Sequence, residues 1–160
     1  MAPAPNPPVE NERLEELHVL LADDDTTFLD LVHAMLKSIG VGHVSRATSG
    51  RAAFETLLSG QRVVDVVLCD QNMDEGTGLE LLWVARTGQV KSFRPDACFL
   101  LLTASGDHET VGLAGRLDVS GYLIKPVTPQ KLRTAISQGR RRAIKIDFAR
   151  YKQVQLPQKA

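Results

Sequence analysis

The sequence predicts a doubly wound α/β domain, in which a parallel sheet is covered by helices on both faces. Short apolar segments alternate five times with segments whose apolar residues recur at helical spacing. Several of the short segments are apolar throughout, which is typical of strands that are buried on both faces of a parallel sheet. Because ligands of such sheets bind beyond the carboxyl ends of the strands, we expect the functional residues there.

Each predicted strand precedes a predicted helix. The strands are expected at residues 17–22, 41–47, 63–69, 97–102 and 121–124, and the helices at about 28–39, 50–58, 79–86, 108–117 and 129–142. Thr26 or Thr27 is expected to cap the first helix, which Gly40 ends. Pro129 suits the first turn of the last helix.

Composition and charge restrict the class of protein. The chain has 160 residues, 43% hydrophobic and 24% charged, as is ordinary for a globular protein. No apolar run approaches the roughly 20 residues that a membrane span needs, so no membrane contact is expected. Cys69 and Cys98 lie in apolar runs and are interpreted as reduced, buried thiols of a cytoplasmic protein.

The net charge of zero hides an asymmetry along the chain. Residues 1–130 carry 10 basic and 18 acidic side chains, whereas residues 131–160 carry 9 basic and 1 acidic. We therefore divide the chain into a flexible Pro-rich leader at 1–16, a folded domain at 17–142 and a basic C-terminal tail at 143–160.

Polar residues stand where four of the five strands end. Asp23 and Asp24 follow the first strand, Asp70 the third, Thr103 the fourth and Lys125 the fifth. Taken singly, an aspartate here is often a helix cap or a turn residue, and a Lys-Pro pair is usually a surface turn. Together, three carboxylates suit Mg²⁺, and a lysine and a hydroxyl beside them suit a phosphoryl group.

Five motifs in this order resemble the receiver domain of bacterial two-component response regulators. They are LLADDD at 20–25, VLCDQNM at 67–73, GLELL at 78–82, LTA at 102–104 and GYLIKP at 121–126. The resemblance covers about residues 17–142. It implies a flavodoxin-like five-stranded parallel sheet of order 2-1-3-4-5 with five helices.

The resemblance also implies a role for each matching residue. Asp70 would be the phosphoacceptor, and Asp23, Asp24, Asp70 and the backbone carbonyl of Asn72 would hold Mg²⁺. Lys125 and Thr103 would contact phosphoryl oxygens, and Tyr122 would be an aromatic switch coupled to Thr103. The sequence departs from the family at Asp74, where proline is usual, and at Thr77, where aspartate is common.

The predicted function is that of a stand-alone response regulator. It would receive a phosphoryl group from a sensor histidine kinase or a histidine phosphotransfer protein and signal by binding a protein target through its last helix. Its only chemistry would be self-catalysed phosphoryl transfer and autodephosphorylation, so it would not be an enzyme. A haloacid-dehalogenase-like phosphatase is disfavoured, because Asn72 stands where that family has a second aspartate.

The basic tail leaves an alternative open. The receiver could dimerise through the tail or bind nucleic acid with it non-specifically, although nucleic acid is not the expected partner. No helix-turn-helix fits into the remaining 18 residues, and only Phe148 and Tyr151 are available for stacking. The partial alternation of apolar residues in the tail also suggests packing on the domain or on a second chain.

Overall fold

The computed structural model describes residues 13–104 and 108–157, which form one parallel sheet with helices on both faces. Its strands are β1 (His18–Ala22), β2 (His43–Ala47), β3 (Val66–Asp70), β4 (Cys98–Thr103) and β5 (Gly121–Ile124). Its helices are α1 (Thr26–Ser38), α2 (Gly50–Ser59), α3 (Gly78–Arg86), α4 (His108–Arg116), α5 (Pro129–Arg141) and α6 (Phe148–Gln153). The strand order is β2-β1-β3-β4-β5, which confirms the predicted fold class.

The three central strands separate two apolar layers. Every residue of β1, β3 and β4 is buried, as their apolar sequences predict. Because side chains alternate across a strand, Leu20 joins the layer beneath α2 and α3, whereas Leu21 joins the layer beneath α1 and α5. Cys69 and Cys98 are also buried, in opposite layers.

Helix α1 begins with a different cap from the predicted one. The carboxylate of Asp25 accepts a hydrogen bond from the backbone N–H of Phe28, so Asp25 is the cap instead of Thr26 or Thr27. The helix ends at Ser38, just before the predicted stop at Gly40, whose φ of +104° suits glycine and lets Val41 N–H donate to the Leu36 carbonyl.

Strand β3 begins three residues later than its apolar sequence predicts. Val63 is 58% exposed, and Val64 N–H donates to the Ser92 carbonyl instead of to a neighbouring strand. Asp65 is held beside the start of β1, because its carboxylate accepts a hydrogen bond from the backbone N–H of His18. The apolar run therefore includes the turn that leads into the strand.

Helix α6 corrects the predicted number of helices from five to six within the described residues. Tyr151 is fully buried, its hydroxyl donates to the Asp118 carboxylate at 2.6 Å, and its carbonyl accepts from Trp83 Nε1 at 3.0 Å. Arg150 also contacts Asp118. The tail thus packs on its own domain, and its six-residue helix was missed because it is too short to show a period.

A buried arginine connects the end of α3 to the residues that precede β4 and β5. Arg86 has no exposed surface, and its guanidinium donates to the carbonyls of Pro95, Ala97 and Asp118 and to Ser120 Oγ. Burial lowers the pKa of Arg86 to about 10, so the side chain is still charged at neutral pH. These bonds provide partners for a charge that burial would otherwise make costly.

The structure describes part of the leader and part of the tail, the two segments that the sequence places outside the domain. Residues 1–12 of the predicted leader and residues 158–160 of the tail lie outside the described part. Leu14–Glu16 form a short 3₁₀ turn in which Leu14 is buried. Among the helices of the described part, none has the length and apolar character needed to cross a membrane.

Candidate functional site

Three aspartates meet at the carboxyl edge of the sheet. Ala22 of β1 pairs with Cys69 of β3, so the residues that follow them, Asp23 and Asp70, lie at the same level. Together with Asp24 they form a carboxylate cluster, in which one oxygen of each residue lies within 4.8 Å of the others. Asp23 and Asp70 are buried, at 1% and 6% exposure, whereas Asp24 is exposed.

The capping of α1 by Asp25 leaves the two preceding aspartates available to the cluster. Asp23 Oδ1 accepts a hydrogen bond from Asp25 N–H at 2.9 Å, which fixes the buried carboxylate at the start of the turn. The backbone N–H of Asp23 donates to the Ala47 carbonyl at the end of β2. The interpretation of Asp23 and Asp24 as mere helix caps therefore does not apply.

Lys125 joins the carboxylate cluster from the end of β5. Its Nζ donates to Asp23 Oδ2 at 2.9 Å and lies 3.5 Å from Asp70 Oδ1. Its backbone N–H donates to the Thr103 carbonyl, which ties the ends of β4 and β5 together. Nζ also lies over the ring of Phe28, 4.1 Å from the centroid.

Burial and charge perturb the protonation of the site. Burial raises the pKa of Asp70 to about 6, and the charge of Asp23 adds to the shift while Lys125 opposes it. For Lys125, partial burial acts to lower the pKa, but the hydrogen bond to Asp23 and the charges of Asp70 and Asp23 outweigh it, so the pKa is raised. Without a metal ion, the three carboxylates of the cluster carry more negative charge than the one ammonium group of Lys125 neutralises.

Hydrogen bonds at both ends shape the loop after Asp70. The Gln71 carbonyl accepts from Gly78 N–H and its side chain accepts from Leu79 N–H, so the loop is closed at the base of α3. At its far end the loop lies against the start of α2, where Gly50 N–H donates to the Asp74 carbonyl. A Cβ on Gly50 would lie 2.5 Å from the Gly76 carbonyl oxygen, so this approach requires glycine.

The structure places the remaining predicted site residues around this edge. Thr103 is the buried last residue of β4, one position beyond Leu102, which pairs with Asp70. Asn72 is exposed, in the bend two residues after β3. Tyr122, on β5, is half-buried and donates its hydroxyl to the Val111 carbonyl at 2.8 Å, which directs it toward α4.

Sequence reasoning missed two residues that contact this site or its loop. Phe28 contributes its ring to Lys125, and Gln71 closes the loop with its side chain. In the sequence, Phe28 is only the first of the apolar residues that recur at helical spacing in the first predicted helix. The sequence does contain a signal for Gln71, which follows Asp70 directly. A side-chain amide at the start of a loop can accept a hydrogen bond from a backbone N–H group of the following helix.

The chemistry of the cluster fits a hard divalent cation. Carboxylate oxygens are the ligands that Mg²⁺ prefers, and a dication relieves the repulsion that contributes to the raised pKa of Asp70. Asp23, Asp24 and Asp70 provide three carboxylates, and the carbonyl of Asn72 follows within the same loop. The residues present are therefore suited to the predicted Mg²⁺.

Comparison with known proteins agrees with this fold. The family of the response regulator receiver domain matches residues 19–137. The chain is 29% identical over 122 residues to the chemotaxis protein CheY of Pseudomonas aeruginosa, covering 76% of this chain and 94% of CheY. It is 32% identical over 124 residues to the transcriptional regulatory protein ZraR of Klebsiella oxytoca, covering 78% of this chain but only 26% of ZraR.

Solved structures show the same fold. The chemotaxis response regulator CheY4 of Vibrio cholerae is similar with a TM-score of 0.65 and 26% identity, over 77% of this chain and 98% of CheY4. A response regulator receiver domain protein of Clostridium thermocellum has a TM-score of 0.67 and 26% identity, over 87% of this chain and 99% of its own. The chain belongs to the response regulator receiver domain family, as its motifs predict.

Proposed function

We propose that this receiver accepts a phosphoryl group on Asp70 from a phosphohistidine of a histidine kinase or phosphotransfer protein. The observation that carries the proposal is the convergence of Asp23, Asp24, Asp70 and Lys125 at one sheet edge of a receiver domain. A buried carboxylate beside an ammonium group is the arrangement that a phosphoryl acceptor needs.

The transfer uses Asp70 as the nucleophile. One carboxylate oxygen forms a bond to phosphorus while the bond from phosphorus to the histidine nitrogen breaks, and that electron pair stays on the imidazole. With a pKa of about 6, Asp70 is mostly ionised at neutral pH and is therefore able to attack. Lys125 offsets the charge of the phosphoryl oxygens, and a bound Mg²⁺ would supply further positive charge there.

The remaining site residues are proposed to convert the new charge into a signal. The Thr103 hydroxyl would donate to a phosphoryl oxygen, and Tyr122 would exchange its bond with the Val111 carbonyl for an inward position. This change would alter the face formed by α4, β5 and α5, to which a downstream protein would bind. The acyl phosphate would later be hydrolysed by the domain itself, without turnover of any other substrate.

The setting proposed for the protein is the cytoplasm of a bacterial cell, where receiver domains meet their kinases. The tail alternatives gain no support from the comparisons, since the family match ends at residue 137. Dimerisation and non-specific nucleic-acid binding by residues 143–160 are therefore not proposed.

Labelling with acetyl phosphate and Mg²⁺ tests the assignment of Asp70. We expect mass spectrometry to find one phosphoryl group on the wild-type protein and none on Asp70→Asn. The matched control is Asp74→Asn, which changes an exposed carboxylate in the same loop and should still be labelled. An acyl phosphate that persists in Asp70→Asn would refute the assignment.

A further inference from the structure

The ammonium group of Lys125 has an uncharged partner in addition to the two aspartates. Phe28 lies in the first turn of α1, half-buried, and packs against the apolar layer beneath α1 and α5. Its ring presents a face to Lys125, with Nζ 4.1 Å from the centroid. This distance is well within the range of a cation–π interaction, which extends to about 6 Å.

The two charged partners of Lys125 also belong to the carboxylate cluster. Nζ is 2.9 Å from Asp23 and 3.5 Å from Asp70, and both carboxylates are among those that would hold Mg²⁺. A carboxylate whose charge is offset by a dication attracts an ammonium group less strongly. The attraction of the aromatic ring comes from its quadrupole and does not depend on either carboxylate.

Lysine also has a long side chain with much conformational freedom. Holding its ammonium group at one place costs rotamer entropy, and the side chain of Lys125 is 23% exposed, so water competes for Nζ. A ring fixed by the packing of α1 limits this freedom, whatever the charge of the cluster. Phe28 is thus suited to keep Nζ near Asp70 when the aspartates are engaged elsewhere.

We propose that Phe28 is a positioning residue, whose ring face holds the Lys125 ammonium group at the carboxylate cluster and thereby increases the rate at which Asp70 accepts a phosphoryl group. The inference rests on the proposed function of Asp70. It names a role for a side chain that acts through Lys125.

Fluorinated phenylalanines at position 28 separate this role from packing. Successive fluorination keeps the shape of the ring and weakens its quadrupole, so the rate of labelling by acetyl phosphate should fall stepwise. We expect the trifluorinated ring and Phe28→Leu to react about 3- to 10-fold more slowly than the wild type, a factor that corresponds to an ordinary cation–π energy. Phe28→Trp should be labelled at least as fast as the wild type, because tryptophan is the strongest aromatic partner of a cation.

The matched control is the same fluorination series at Phe148. This ring lies on α6 next to Gly88 and is 46% exposed, so its fluorination should leave the rate unchanged. Equal rates across the whole series at position 28 would overturn the proposal, because a role in packing alone predicts that result.

Nuclear magnetic resonance of Lys125 gives a readout that does not require phosphorylation. The ring should shift the Hε resonances of Lys125 upfield, and the shift should persist when the protein is saturated with Mg²⁺ alone. Loss of the shift on adding Mg²⁺ would overturn the proposal even if labelling succeeds. Conversely, absence of labelling in the wild type with the shift retained would refute the function of Asp70 but not the contact.

Discussion

At the scale of single residues, Asp70 experiences opposing effects of burial and charge. Burial and Asp23 favour its protonated form, whereas Lys125 favours the carboxylate, and the result is a pKa of about 6. Ionised Asp70 is the reactive form in the proposed transfer, and it is also the form that the fold accommodates less well. The site keeps this unfavourable charge because the proposed chemistry requires it.

The raised pKa makes the stability of the metal-free protein depend on pH. Between the ordinary value of 3.8 and about 6, the folded state holds a proton on Asp70 that the unfolded state has lost. The free energy of unfolding therefore decreases as pH rises through this window and stays lower above it. At pH 7.5, Asp70→Asn should be more stable than the wild type by about 2–3 kcal/mol, since each pKa unit is worth about 1.4 kcal/mol.

Urea denaturation in the presence of a chelator measures this difference. At a pH below about 3, where Asp70 is protonated in both states, the variant and the wild type should become nearly equal. Asp74→Asn is the control, and its stability should follow that of the wild type at both pH values. A stabilisation by Asp70→Asn that is the same at low and neutral pH would rule out ionisation of Asp70 as its cause.

The sequence could predict some residues of this site but not others. Asp23, Asp24, Asp70 and Lys125 were predictable, because the carboxyl ends of parallel strands lie at one edge and bring together residues far apart in the chain. Phe28 was not predictable, and neither was the buried Arg86, whose partners lie outside the site. Their partners depend on how α1 and α3 are rotated and packed, and no local pattern carries that information.

At the scale of elements, α6 lies outside the segment that matches the receiver family and adds contacts with the rest of the domain. Its Tyr151 is fully buried and connects Trp83 of α3 with Asp118, directly after α4. Asp118 has a φ of +52°, and its backbone carbonyl accepts from the buried Arg86. One turn residue therefore connects α3, α4 and α6.

Removing α6 should destabilise the domain and change its fluorescence. Tyr151→Ala leaves a cavity and removes one of the two partners of the Asp118 carboxylate, so we expect a loss of about 3–5 kcal/mol in the free energy of unfolding. Trp83 is the single tryptophan, and its indole N–H would lose its bond to the Tyr151 carbonyl if α6 detaches. Tryptophan emission should then shift to longer wavelength in the folded state.

Tyr151→Phe separates the effect of the ring from that of the hydroxyl. It keeps the ring and removes only the bond to Asp118, so a loss of about 1 kcal/mol with unchanged emission is expected. If Tyr151→Ala unfolds with the same midpoint as the wild type, α6 does not contribute to the stability of the domain in solution.

The element boundaries show where a pattern is insufficient. The central strands were predicted because their apolar runs are buried on both faces, yet the run at 63–69 gave no sign that β3 begins at Val66. That start is set by the bond between Asp65 and His18 of β1, a contact between residues distant in sequence. Helix α6 is too short for its periodicity to be recognised.

At the scale of the whole molecule, the position of the carboxylate cluster would couple the binding of a cation to folding. The three carboxylates come from β3 and from the turn after β1, which are distant in sequence and adjacent only in the folded sheet. An unfolded chain cannot offer them together, so a cation that binds the cluster stabilises the folded state.

We expect Mg²⁺ to increase the free energy of unfolding by about 2.7 kcal/mol at a concentration 100-fold above its dissociation constant. Thermal denaturation over a Mg²⁺ series at constant ionic strength measures the effect, and chelation should reverse it. Asp24→Asn should weaken the dependence, whereas Asp30→Asn, an exposed carboxylate on α1 that pairs with Arg46, should not. Equal dependence in both variants would place the cation elsewhere.

The burial of both cysteines has a practical consequence for site-specific labelling of the protein. Cys69 and Cys98 are 0% and 4% exposed, on opposite faces of the sheet, and burial raises the pKa of the Cys69 thiol well above its usual range. Neither side chain is accessible to a maleimide in the folded protein. A single cysteine introduced at exposed Ala149 on α6 would thus be the one thiol to take a spin label or dye, without first removing the native pair.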